Sequence, residues 1–115
     1  MNKIYHLSTC NTCRRVLNEL GDLSRFELQD IKEENISAKE LDEIQKKVGS
    51  YEEMFSKRAM KYRSMGLNEM NLSEADYRKY MIEEYTFLKR PFILIGEEVF
   101  IGNSKKTVAA AIAAL

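Results

Sequence analysis

Two cysteines three residues apart, in Cys10-Asn11-Thr12-Cys13, are the residues of this chain best suited to chemistry. They follow the short apolar run Lys3-Ile4-Tyr5-His6-Leu7 and the polar pair Ser8-Thr9. A cysteine where a strand ends and a helix begins meets the unpaired N–H groups of the first turn and the positive end of the helix dipole. Both favour thiolate over thiol and lower the pKa of the sulfur. Cys10 therefore reads as an attacking thiolate. Cys13 lies within its reach and reads either as a resolving thiol or as a packed core residue, since it shares a helical stripe with Val16 and Leu17. His6, the one histidine, could assist the thiolate by charge or hydrogen bonding, or stand solvated at the strand end. Arg14, one turn into the helix, either reaches an anion held at the Cys10 loop or lies in solvent. Structural zinc needs about four Cys or His ligands; two cysteines and one histidine give no reason to expect a metal.

The elements that must position these residues follow from periodicity. Lys3 to Leu7 predicts a strand, and Cys13, Val16, Leu17 and Leu20 predict a helix ended by Gly21. Arg25 to Gln29 predicts a second strand with Phe26 and Leu28 on one face. Ser37-Ala38-Lys39-Glu40 is a capping box before a helix bearing Leu41, Ile44 and Val48. Ser50-Tyr51-Glu52-Glu53 reads as a second box, opening a short helix through Met54 and Phe55. The basic run Lys57 to Met65 is helical in part, and Gly66 stops it. Ser73-Glu74-Ala75-Asp76 caps a further helix with Tyr77, Tyr80 and Met81 inward. Phe92 to Ile95 and Glu98 to Ile101 form a hairpin around Gly96-Glu97. The last helix carries Val108, Ala111, Ile112 and Leu115 on one stripe. A Cys-x-x-Cys after the first strand, in the order β-α-β, helices, β-β-α, points to a thioredoxin-like α/β fold. Residues 1–115 are expected to form one domain, with a helical segment at about residues 37–86 inserted into it.

Length and charge narrow the function classes. A chain of 115 residues suits a single core. Lys plus Arg and Asp plus Glu are 18 each, a zero balance that does not favour nucleic-acid or anionic-membrane binding. No apolar stretch approaches a membrane span, and the first run is too short for a signal peptide. A cytoplasmic protein is expected. In that reducing compartment a structural disulfide is disfavoured. The loop between Cys10 and Cys13 is also too short for a bridge to restrict the unfolded chain much.

Three segments in order resemble the arsenate reductase (ArsC) family, the glutaredoxin-linked branch that includes the transcriptional regulator Spx. The segments are Ile4-Tyr5-His6-x-x-x-Cys10-x-x-x-Arg14, Arg58-Ala59-Met60-Lys61-Tyr62-Arg63-Ser64-Met65-Gly66-Leu67 and Phe87-Leu88-Lys89-Arg90-Pro91-Phe92-Ile93-Leu94. The resemblance extends over nearly the whole chain. The resemblance implies an enzyme without bound cofactor, in which the Cys10 thiolate attacks arsenate. Glutathione and glutaredoxin, or thioredoxin, would then supply the electrons. It implies Arg90, Arg58 and Arg14 as oxyanion-binding residues and a cis peptide before Pro91. Arginine suits an oxyanion because its donors form a rigid fork.

The chain departs from the arsenate reductase pattern in two places. Val99 to Lys106 holds no arginine where those enzymes carry a third, leaving Lys105 or Lys106 as the nearby cations. Cys13 is the second departure, and it resembles the Spx-like members. The alternative is therefore an Spx-like redox regulator that binds RNA polymerase through the C-terminal domain of its α-subunit. A general thiol–disulfide exchange protein is a third reading.

Overall fold

A computed structural model describes residues 2–115. The chain separates into two compact units, Met1–Glu34 with Arg90–Leu115, and Asn35–Lys89.

The first unit holds strands β1 (Lys3–His6), β2 (Glu27–Asp30), β3 (Phe92–Ile95) and β4 (Glu98–Ile101) in the order β2-β1-β3-β4. Helix α1 (Asn11–Leu20) connects the parallel pair β1 and β2. Strand β3 runs antiparallel to β1, pairing Ile93 with Ile4, and β4 returns beside it. The two-residue turn Gly96-Glu97 joins them, with Gly96 at φ 59°, a conformation glycine adopts without Cβ strain. A last helix follows, at Lys105–Ala113. This is the thioredoxin-like α/β arrangement expected from the element order. One face of the sheet gathers Ile4, Ile93 and Ile95 against Val16 and Leu20 of α1 and Val108 and Ala111 of the last helix.

The second unit carries α2 (Ala38–Val48), α3 (Met60–Ser64) and α4 (Glu74–Glu83), so the last helix is α5. Ser37 and Ser73 each form the expected capping box, with Glu40 and Asp76 reaching back. The core is aromatic: Phe55 stacks on Phe87 and meets Tyr62 and Tyr77 edge-on. Arg78 of α4 grips Asp42 of α2 with two hydrogen bonds of 2.7 and 3.0 Å, and Tyr51 donates to the same carboxylate at 2.6 Å.

Three local expectations change. Leu28 is 43% exposed while Gln29 is buried, because β2 begins only at Glu27 and Phe26 stands in the turn before it. Gln29 tolerates burial by donating its amide to the Glu34 carbonyl at 2.8 Å. The box predicted at Ser50 does not form. Residues Glu52–Met54 make a 3₁₀ turn, and the acid over its N–H groups is Glu74, accepting from Tyr51 and Glu52. On α5, Val108 and Ala111 are buried but Ile112 is exposed, as is Leu115 just past its end. A short helix on one sheet face buries only the stripe that touches it.

Candidate active site

Cys10 occupies the N-cap of α1 in extended conformation (φ −93°, ψ 114°). A turn sets it there, with its N–H donating to the Leu7 carbonyl at 3.0 Å. Its sulfur makes no capping hydrogen bond of ordinary geometry. The N–H groups of Cys13 and Thr12 nevertheless face it closely enough to stabilise negative charge. Burial pushes the Cys10 thiol up, but those N–H groups, the Cys13 thiol and the Arg90 side chain outweigh it. The net direction is downward, toward thiolate.

Cys13 is fully buried on the inward stripe of α1, and its sulfur lies near that of Cys10. Burial, followed among the raising effects by the charge and hydrogen bond of Cys10, pushes its thiol up to about 11. The two thiols of one motif are therefore shifted in opposite directions, Cys10 downward and Cys13 upward.

Arg90 is half-buried and directs its side chain to the Cys10 sulfur. The peptide between Arg90 and Pro91 is cis, and the Pro91 carbonyl accepts the Gly102 N–H at 2.9 Å. The segment that carries Arg90 is thus held against the end of β4.

Arg14 lies one turn below Cys10 on α1. Its Nε donates to the Ser8 carbonyl at 2.8 Å, which ties the guanidinium to the loop that enters the site. His6 ends β1 opposite Asp30. The Nδ1 atom of His6 is buried without a hydrogen-bond partner among the described residues. Asp30 accepts the Ser8 N–H at 3.4 Å and the Lys32 N–H at 3.1 Å. Burial works against that carboxylate, yet these N–H groups and the nearby His6 charge hold it below the usual range.

The structure therefore brings Cys10, Cys13 and Arg90 together and fastens Arg14 to the same loop. Arg58 belongs to the second unit, on an exposed turn before α3. Lys105 and Lys106 are exposed in the first turn of α5. Three residues had no signal that singled them out in the sequence. Thr12 acts through its backbone, which no side-chain pattern marks. Asp30 anchors Ser8 from across the sheet. Arg15 donates to the Asn103 carbonyl at 3.1 Å, so a different arginine reaches the segment that has none of its own.

A family model for the ArsC family matches residues 5–111. The chain belongs to the ArsC family. Within this family, it is 28% identical over 108 residues to the arsenate reductase of Haemophilus influenzae, covering 91% of this chain and 93% of that protein. Its fold is similar to the arsenate reductase structure from Vibrio cholerae, with a TM-score of 0.79 at 19% identity over 99% of this chain and 97% of that one. It is also similar to an ArsC-related protein from Brucella melitensis, with a TM-score of 0.73 at 22% identity over 95% and 92% of the two chains. The ArsC match spans the thiolate loop, the basic segment and the Arg90-Pro91 strand alike.

Proposed function

We propose that the chain is a thiol-dependent arsenate reductase. The observation that carries this reading is Cys10 at the α1 N-cap with Arg90 directed at its sulfur. A helix N-terminus attracts anions as well as thiolates. An arginine beside it neutralises an incoming oxyanion and binds two of its oxygens at once. The Cys10 thiolate displaces one oxygen of arsenate, which leaves as water after protonation, and forms a sulfur–arsenic bond. A second thiol then attacks the Cys10 sulfur. The sulfur–arsenic electron pair passes to arsenic, and arsenite leaves.

The residues divide the work as follows. Cys10 is the nucleophile and Arg90 the principal anion ligand. Arg14 adds positive charge toward the anion, the family resemblance assigns Arg58 an oxyanion-binding role as well, and His6 assists the thiolate by charge or hydrogen bonding. No bound cofactor takes part. The electrons come from glutathione and glutaredoxin, or from thioredoxin, in a reducing cytoplasm. Family membership and the arsenate reductase relative support this assignment.

Arsenite production tests it. The wild-type protein with arsenate, glutathione, glutaredoxin, NADPH and glutathione reductase should yield arsenite, and Cys10→Ser should reduce the rate to background. Arg90→Ala should raise the arsenate KM at least tenfold. Wild-type protein inactive with both glutaredoxin and thioredoxin would overturn the reading. In that event the Cys-x-x-Cys pair, together with the arginine-free Val99 to Lys106 segment, favours an Spx-like redox regulator. That second reading is tested by capture of the C-terminal domain of the RNA polymerase α-subunit, with oxidised protein compared against reduced.

A further inference from the structure

Arg15 is an exposed arginine on α1 that the anion chemistry above does not use. Both arms of its guanidinium are engaged. Nη1 donates to the Glu19 carboxylate, one turn further along the helix, at 3.1 Å. Nη2 donates to the Asn103 carbonyl at 3.1 Å, 88 positions away in sequence. Asn103 stands in the loop between β4 and α5, and its neighbour Gly102 donates its N–H to the Pro91 carbonyl at 2.9 Å. Pro91 follows Arg90, whose side chain is directed at the Cys10 sulfur. Cys10 caps the same helix that carries Arg15. These contacts close a ring. We propose that Arg15 is a positioning residue: by clasping the β4–α5 loop to α1, it holds Arg90 in register with Cys10. The proposal rests on Arg90 being the anion ligand beside Cys10 and names what keeps it there.

Helix stability does not explain the Arg15–Glu19 pair. An acid in the last turn of a helix opposes the dipole, and an i,i+4 pair with the cation first is the weaker orientation. The two side chains are 46% and 42% accessible, where an ion pair contributes little of itself. What Glu19 achieves is to fix one arm of a long side chain. The planar fork then meets the Asn103 carbonyl in one orientation.

Register matters because the core beneath this clasp does not set it closely. Val16 and Leu20 of α1 share one aliphatic cluster with Val108 and Ala111 of α5. Apolar contact is non-directional and tolerates a small slide of one helix on the other. A hydrogen bond weakens steeply once its angle is lost, so it resists that slide. A shift of about 1 Å at a reacting pair can cost on the order of 10²-fold in rate. Arg15 thus turns the soft packing of two helices into a fixed distance between the Cys10 sulfur and its cation. Its own charge plays no part in this role.

Iodoacetamide alkylation of the full chain, followed against pH, tests this without arsenate. Cys13 is fully buried, so Cys10 is the reporting sulfur. Arg90→Ala should move the alkylation midpoint up. Arg15→Gln should move it the same way and slow alkylation at pH 7 about two- to fivefold, the lower end of the coupling seen between contacting residues. In the Arg90→Ala background, Arg15→Gln should add nothing. Glu19→Ala should also move the midpoint up, whereas loss of a negative charge acting only through space would move it down. A midpoint unmoved by Arg15→Gln or by Arg90→Ala would overturn the proposal. So would additive effects of those two changes, or an unmoved or lowered midpoint in Glu19→Ala. With arsenate, Arg15→Gln should raise KM about two- to fivefold and leave kcat nearly unchanged; an unmoved KM in an active enzyme would overturn the proposal too. Wild-type protein that turns over no arsenate would remove the substrate assignment alone, and the alkylation series would still decide the role of Arg15.

Discussion

At the scale of single residues, the downward shift of the Cys10 thiol comes from what surrounds it. Two backbone N–H groups, a neighbouring thiol and an arginine outweigh the cost of partial burial. Cys10 is held below the usual cysteine range, so its thiolate fraction rises with pH earlier than that of an exposed cysteine. The rate of iodoacetamide alkylation at Cys10 should therefore reach half its maximum at lower pH than for free cysteine. Arg90→Ala removes one donor and one positive charge and should move that midpoint up. A midpoint unmoved by Arg90→Ala would mean that the helix terminus alone activates the sulfur. That Cys10 stands where β1 gives way to α1, with Cys13 three residues on, was legible in the sequence. The opposite behaviour of the two sulfurs was not legible. It depends on which is buried and which faces Arg90, and spacing alone says nothing about either.

At the scale of elements, the caps show which local signals survive. Ser37 and Ser73 satisfy the N–H of their third helical residues, and the returning acid satisfies the serine N–H in each case. Ser37→Ala should cost about 1 kcal/mol in urea unfolding, the usual value for a lost N-cap. Gly49 closes α2 at φ 99°, where a Cβ is strained whatever the space around it, so Gly49→Ala should destabilise by about 1 kcal/mol. At Ser50 the same four-residue pattern was present and the box failed. The reason lies in a competitor: the Ser50 hydroxyl donates to the Glu74 carboxylate at 3.1 Å and accepts from the Glu52 N–H rather than that of Glu53, while Glu74 takes the Tyr51 N–H at 2.7 Å. Glu74→Gln should weaken the Glu52–Met54 turn and lower the unfolding midpoint, whereas Glu53→Gln should leave it unchanged. Equal effects of the two changes would show that the local box matters after all.

At the scale of the whole molecule, two compact units divide the chain, and one of them is assembled from its two ends. Each has its own adhesive. In the first, the sheet and the α1–α5 layer share one aliphatic cluster. In the second, the rings around Phe55 dominate, and Phe55→Ala should cost about 3–5 kcal/mol by denaturant unfolding. The second unit also has an acid-sensitive clasp. Hydrogen bonds from Arg78, then Tyr51, hold the Asp42 carboxyl down to about 2. Because the folded value lies below the unfolded one, the clasp is fully present above about pH 4. It is lost as pH falls toward 2. Both partners are partly exposed, with side chains 39% and 38% accessible, so solvent screening keeps the effect modest. Asp42→Asn should lower stability at pH 7 and flatten its decline between pH 4 and pH 2. Among the described residues, no helix is long and apolar enough to cross a membrane.

Much of this protein was written locally. The element order, two of three capping boxes, the hairpin at Gly96-Glu97 and the placement of Cys10 at a helix start follow from patterns a few residues long. Short-range hydrogen bonding and side-chain periodicity act there without help from distant residues. The thioredoxin-like fold followed from that order, and the ArsC family from three segments spaced along the chain. The rest was decided by contacts between residues far apart in sequence. Arg90 meets Cys10 across eighty positions. Arg15 reaches Asn103, Glu74 displaces a local cap, and Asp30 holds the loop before the thiolate. Charge and hydrogen bonding act through space, and only folding sets the distances over which they act.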